Sequence, residues 1–417
     1  MKVLWFEVTT PSKYKNQNVV IGGWQDSLEA IVREIPDIEL SVAFPSKTRN
    51  DIVKNVDGVT YIPIYLEYTL WERFMSKWTW DIYANKVSEA ALNVVKQISP
   101  DVIQCFGSEW LWGLVALKTK VPCVIHIQGS IVPYMNAQFP PGYNEYTIAE
   151  ALGFKKLLTI RKQRKLIQSW VKQESKVWKA VNFYMGRTEW DRSLTNMMNP
   201  KACYFHVDEA LRDIFLSENK HWQYPNRNKI ILFSTGCTTF WKGPDMMLKT
   251  ARILKSIGID FEWIIAGNMD LNLKKVVEHH EKCRFEDVNL KLIGFTTPDK
   301  LINCLCNCTM YVHTAYIENS PNSICEAQIL GVPIVSTNVG GISTLLDGNG
   351  ALVPANDPWQ MANAIIELAN NKDKMIQYSE NGTKIAYLRH SPIVIKEQLL
   401  KCYEFLSGQF LSENRRK

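Results

Sequence analysis

No uninterrupted run of eighteen apolar residues occurs in this chain, which excludes a helix able to cross a bilayer by its own hydrophobicity. The opening MKVLWFEVTTPSKY has no basic region leading into a long apolar stretch, so no secretory leader is expected. Cysteine forms no regular framework. The ten cysteines, at 105, 123, 203, 237, 283, 304, 306, 308, 325 and 402, are scattered, and reduced thiols in a cytoplasmic protein are the expected state. Cys304, Cys306 and Cys308 have no second pair at zinc spacing, and the adjacent His279 and His280 diverge on a helix, so no metal is expected. Neither sign of charge dominates: 48 Lys and Arg stand against 42 Asp and Glu. A balance of +6 permits anionic small molecules or lipids as partners, and nucleic acid is not expected. Short repeats and low-complexity tracts are absent as well. With 46% hydrophobic and 22% charged residues, disordered and fibrous classes drop out.

What is present is an alternation. At 417 residues the chain is too long for one ordinary core. Strands are expected at 2–7, 38–43, 102–106 and 122–127, each followed by a loop and a helical pattern. The pattern restarts at 228–236 and continues at 261–268, 288–295, 308–315 and 332–338. Such alternation predicts an α/β fold with two doubly wound, Rossmann-like domains. The seam falls near 217–228, where SENKHWQYPNRN is polar and carries a proline. The expected division is 1–217 and 218–391, followed by an amphipathic helix over about 392–417.

Two further segments stand out. Residues 65–87 are rich in aromatics, and 155–179 hold nine Lys or Arg against one Glu. They read either as core aromatics with a solvated helix face, or as a surface that approaches an anionic membrane or a lipid-linked acceptor.

The stretch YIENSPNSICEAQILG, residues 316–331, concentrates the chemistry. Ser320 reads as a helix N-cap and Pro321 as the first helical residue, with Gly331 ending the helix. The first-turn N–H groups, at Asn322 and Ser323, then form an anion site suited to phosphate. Glu318 precedes the helix, and Glu326 lies roughly 9 Å along it at about 1.5 Å per residue. Carboxylates accept from hydroxyls, so the two glutamates could hold the two ends of a nucleoside diphosphate sugar. They could equally be two solvated glutamates flanking a helix start. Three other loops favour the first reading. Lys242 follows a strand that ends at Gly236, and offers a cation where doubly wound sheets bind ligands. The segments VGGIST (339–344) and NVVIGGWQDSLEAIV (18–32) place glycine pairs, the latter Gly22 and Gly23, after other strands.

These motifs resemble the GT-B glycosyltransferases of family 4, the retaining enzymes that use nucleotide sugars. Glu318, seven residues, Glu326, Ala327 and the later Gly331-Val332-Pro333 follow that family's pattern. So do 336–341, 352–358 and the Lys242-Gly243 pair. GRTEWD (186–191) with HVDEALRDIF (206–215) is similar to a subgroup from bacterial surface-polysaccharide pathways. The resemblance implies a hexosyltransferase that moves a sugar from a UDP- or GDP-linked donor, with retention, to a glycan or polyprenyl-linked saccharide. It implies Lys242, Glu318 and Gln128 as catalytic residues. Donor-binding residues would be Glu326, Gly236, Asn319, Ser320, Pro321, Asn322, Ser323, Gly22, Gly23 and Gly294. Glu326 would take the ribose, Glu318 the donor sugar and Lys242 the pyrophosphate. The last helix would return to the first domain.

Two positions depart from the family. Cys237 stands where an Arg is common, and Arg187 is a candidate replacement cation. Gln128 stands where a His is common. No cofactor and no metal are expected, since no Asp-x-Asp follows a strand to hold one. The location implied is the cytoplasm, peripheral at the inner face of the membrane. Two alternatives share the architecture: a nucleotide-sugar epimerase, and a non-catalytic nucleotide-sugar-binding protein.

Overall fold

In the first strand Val3 and Trp5 point to one face of a sheet and Leu4 and Phe6 to the other, and all four are buried. A strand apolar on both sides needs cover on both sides. The computed structural model describes residues 1–15 and 23–415, with the side chains of the last helix through 408, and it supplies that cover. Strands β1 (Lys2–Phe6), β2 (Glu39–Ser46), β3 (Lys54–Val56), β4 (Val59–Tyr65), β5 (Val102–Phe106), β6 (Cys123–His126), β7 (Phe183–Gly186) and β8 (Cys203–His206) form one sheet. Its order is β3-β4-β2-β1-β5-β6-β7-β8, parallel except for the pair β3 and β4. On one face Leu4, Ile103, Ile125 and Tyr184 pack with Val87, Ala91 and Trp178. On the other, Val3, Trp5, Val124 and Met185 pack with Leu28, Val32 and the last helix, Pro392–Arg415. That helix contributes Ile395, Leu399, Tyr403 and Leu406. The Trp5 indole N–H donates to the Tyr403 hydroxyl at 3.0 Å, and that hydroxyl donates to Gln104.

A second sheet holds β9 (Ile230–Thr235), β10 (Phe261–Ala266), β11 (Leu290–Gly294), β12 (Met310–His313), β13 (Ile334–Thr337) and β14 (Ala351–Val353). Its six strands are all parallel, in the order β11-β10-β9-β12-β13-β14. The winding reverses between β1 and β5 in the first sheet and between β9 and β12 in the second. Doubly wound sheets hold ligands beyond the carboxyl ends of strands at such a reversal.

The chain divides into two units. One comprises 1–132, 162–212 and 389–417; the other comprises 133–161 and 213–388. This differs from the expected 1–217 and 218–391, chiefly in 133–161, which joins the second unit. The helix Glu145–Leu152 packs on the helix Leu271–Glu281, and the Tyr143 hydroxyl donates to Glu281 Oε1 at 2.9 Å. A strong local signal was also missed. No strand was expected between 44 and 101, yet β3 and β4 form a hairpin across Asp57-Gly58. Both turn residues have positive φ, 50° and 84°, the geometry that favours Asp-Gly in a two-residue hairpin turn.

Candidate functional site

The second unit gathers its polar groups at the winding reversal. Past β9 the chain makes a single tight turn over Phe240–Lys242, then enters the helix Pro244–Ser256. Past β12 it runs through Glu318 into the helix Asn322–Ile329. Two close backbone approaches hold these exits in place. A Cβ on Gly243, whose φ is +73°, would lie 1.9 Å from the Thr314 carbonyl oxygen, so only glycine fits. Around it, the Thr314 hydroxyl donates to the Lys242 carbonyl at 3.0 Å, and the Tyr316 N–H to the Trp241 carbonyl at 2.7 Å. On the other side, a Cβ on Gly340, with φ +54°, would lie 1.7 Å from the Glu318 carbonyl oxygen. That oxygen accepts from the Gly341 N–H at 3.0 Å. The glycine pair of VGGIST therefore closes on the backbone of Glu318.

So clamped, Lys242 donates from its ammonium to the Glu318 carboxylate, while His313 Nε2 lies 3.5 Å from the same oxygen. Burial alone would raise the Glu318 carboxyl. The Lys242 charge, helped by the His313 ring, outweighs burial and brings it down to about 2. Glu318 is therefore a buried carboxylate that stays ionised. Sequence reasoning missed His313; its signal was a titratable residue at the last position of a buried strand.

Lys242, His313, Gly236, Thr314, Ser234 and Ser323 line a small pocket at the ends of β9 and β12. The helix Asn322–Ile329 begins beside it. The Ile324 N–H already donates to the Pro321 carbonyl at 2.9 Å, while the N–H groups of Asn322 and Ser323 precede the first acceptor that the helix itself offers. Pro321, at φ −73° and ψ 118°, takes the cap position, so the helix starts one residue later than the sequence predicts. The Ser320 hydroxyl lies 4.0 Å from the Cys325 sulfur. Asn319 is buried, and Glu326 is buried on the second turn of the helix. Cys237 is buried, and burial pushes its thiol up to about 12, so it packs as a neutral group and supplies no charge. Gly294 stands two strands away from β9, linked to Gly236 through Gly267. It ends β11 at the sheet edge, and its carbonyl accepts from the Gly267 N–H at 2.7 Å.

The remaining candidates belong to the first unit. Gly22 lies outside the described residues. Gly23 precedes the helix Trp24–Arg33 with an ordinary φ of −74° and nothing within 4 Å of a Cβ placed there. Gln128 follows β6, half-buried. Arg187 is buried, 3.0 Å from Glu209 and 4.6 Å from the centre of the Trp24 ring, so its charge already serves the interior of its own unit. His126, enclosed by Trp24 and Phe106, is held well below the ordinary histidine value by burial and by the Arg187 charge. Two carboxyls that sequence reasoning missed also stand past β1 and β5, Glu7 buried and Glu109 half-buried. Burial drives Glu7 well above its ordinary value and Glu109 up to about 8.

Residues 217–385 match the model of the family Glycosyl transferases group 1. The capsular polysaccharide biosynthesis glycosyltransferase CapM of Staphylococcus aureus is 27% identical over 203 residues, 48% of this chain and 51% of that protein. The amylovoran biosynthesis glycosyltransferase AmsK of Erwinia amylovora is 27% identical over 155 residues, 35% and 37% of the two chains. These matches span about half the length of the curated relatives, or less. Among solved structures, sucrose-phosphate synthase from Thermosynechococcus elongatus superposes with a TM-score of 0.72 at 12% identity, covering 98% of this chain and 99% of that one. Anabaena HepE, solved with UDP and glucose, gives 0.63 at 13% identity over 96% and 99%. The chain thus has the two-domain GT-B fold, and its residues 217–385 carry the pattern of Glycosyl transferases group 1.

Proposed function

We propose that this protein is a retaining glycosyltransferase that moves a hexose from a UDP- or GDP-linked donor to a hydroxyl of a glycan or lipid-linked saccharide, in polysaccharide biosynthesis. One observation carries the reading: a lysine, an ionised buried glutamate and a helix N-terminus converge at the winding reversal of the second sheet. The site's task is electrostatic. Negative charge grows on the departing diphosphate as the sugar leaves, and Lys242 with the N–H groups at 322 and 323 stabilises it. Glu318 orients Lys242 and, once a donor enters, accepts from sugar hydroxyls. Glu326 accepts from the ribose. Gln128 offers an amide to the sugar. The departing phosphate oxygen takes the acceptor proton, so no protein base is required for that step, and neither cofactor nor metal is assigned to the reaction. The relatives named for capsular polysaccharide and amylovoran support the polysaccharide assignment, and HepE with UDP supports the donor class. The basic stretch 155–179 would bring the protein to the cytoplasmic face of an anionic membrane, where a polyprenyl-linked acceptor resides.

The test incubates the full chain with UDP- and GDP-hexoses and follows released nucleotide and sugar configuration by NMR. Nucleotide release from one donor, abolished by Lys242→Ala, is the expected result. Sugar interconversion without release would make it an epimerase. Binding without either reaction would make it a binding protein.

A further inference from the structure

The helix Leu70–Met75 buries none of its residues. It presents Leu70, Trp71 and Phe74 at 86%, 66% and 52% exposure, and Trp78 just beyond it is 47% exposed. Water is a poor solvent for such a row, and exposed apolar clusters of this kind mark contact surfaces. The helix is nonetheless well formed. Thr69 caps it reciprocally with Glu72, and the Trp71 and Phe74 rings stack with centroids 5.9 Å apart. The next residues anchor it to the first unit: Ser169 Oγ accepts from the Trp80 N–H at 2.9 Å, and the Trp80 and Trp170 rings stack at 4.4 Å.

The exposed charge within the apolar row itself is positive. Arg73 and Lys77 are exposed within it, and the Lys162 ammonium lies 4.4 Å from the centre of the Trp78 ring. Of the nearby carboxylates, Glu67 and Glu72 are engaged by Arg49 and Lys86, and Asp81 accepts from the Thr79 hydroxyl and the Gln173 amide. We infer that Leu70–Trp78 is an interfacial anchor that inserts its Leu, Trp and Phe side chains at the headgroup level of an anionic lipid bilayer. Tryptophan beside Lys and Arg is the composition that settles at that depth. A second copy of the chain is a poorer occupant, because a two-fold contact through this row would bring the Arg73 and Lys77 charges of one copy close to those of the other. The inference deepens the membrane-side acceptor reading above, by naming a different segment as the one that enters the bilayer.

Flotation of the full chain with phosphatidylcholine vesicles, with and without phosphatidylglycerol, tests it with no substrate present. It can therefore fail or succeed apart from the transferase reading. Wild type should float with the anionic vesicles. Trp71→Ser with Phe74→Ser should lower the partition about tenfold or more, and Arg73→Glu with Lys77→Glu should remove the dependence on phosphatidylglycerol. Thermal midpoints of both variants should match wild type, because the helix holds up no core. The inference is overturned if wild type does not float, or if the aromatic variant floats equally well. It is also overturned if sedimentation shows a wild-type dimer that the aromatic variant dissociates.

Discussion

Gly340 is the residue on which the placement of Glu318 depends most directly. Alanine there would meet the Glu318 carbonyl oxygen at 1.7 Å, at a φ of +54°. Gly340→Ala should therefore destabilise the fold by well over about 1 kcal/mol, read by urea denaturation. The acid limb of stability is a second check. The folded value of Glu318, about 2, lies below its ordinary 4.5. Its ionised form thus adds stability that is complete above about pH 4.5 and fades as the pH falls toward 2. Replacing Lys242 with Met removes the cation that opposes burial. The acid midpoint should then move to higher pH, and an unmoved midpoint would show that Lys242 does not hold this carboxylate. Glu318 and Lys242 were legible in the sequence because each follows an apolar strand at a recognisable turn. Gly340 was legible as a special glycine, but its use was not. A glycine that admits a ligand and one that admits the chain's own backbone look alike until the neighbour is known. His313 was hidden inside a strand that read as core.

Among the elements, the segment 133–161 is the one whose allegiance the sequence conceals. It falls well before the polar seam, and helix periodicity carries no information about which sheet a helix serves. Its attachment is specific: Tyr143 donates to Glu281, and its ring lies 4.3 Å from His280. Tyr143→Phe deletes a bond to a carboxylate worth about 1.5–3 kcal/mol. Hydrogen exchange should quicken across 133–161 and 271–281 while β1–β8 keep their protection. Uniform protection loss would mean the segment is not separately anchored. The β3–β4 hairpin, by contrast, was legible in principle from Asp57-Gly58; the three residues of β3 offer too few for alternation to register, and without it β4 lacks a visible partner.

At the level of the whole molecule, the first unit is assembled from three separate stretches of chain. Its core is completed by Ile395, Leu399, Tyr403 and Leu406 of the last helix. Tyr403→Phe would strip the hydroxyl that Trp5 donates to and that serves Gln104, leaving buried polar atoms unmet at about 1–3 kcal/mol each. Calorimetry should show the loss in the transition of the first unit, with that of 213–388 unchanged. The hydrogen bond between Trp5 and Tyr403 joins residues 398 positions apart. At a synthesis rate of about 5–20 residues per second, roughly 20 to 80 s pass between the making of β1 and of the helix that covers it. Throughout that interval this face of the first sheet has Leu28 and Val32 against it but lacks Ile395, Leu399, Tyr403 and Leu406, so a chain halted before residue 392 exposes apolar surface that the finished protein hides.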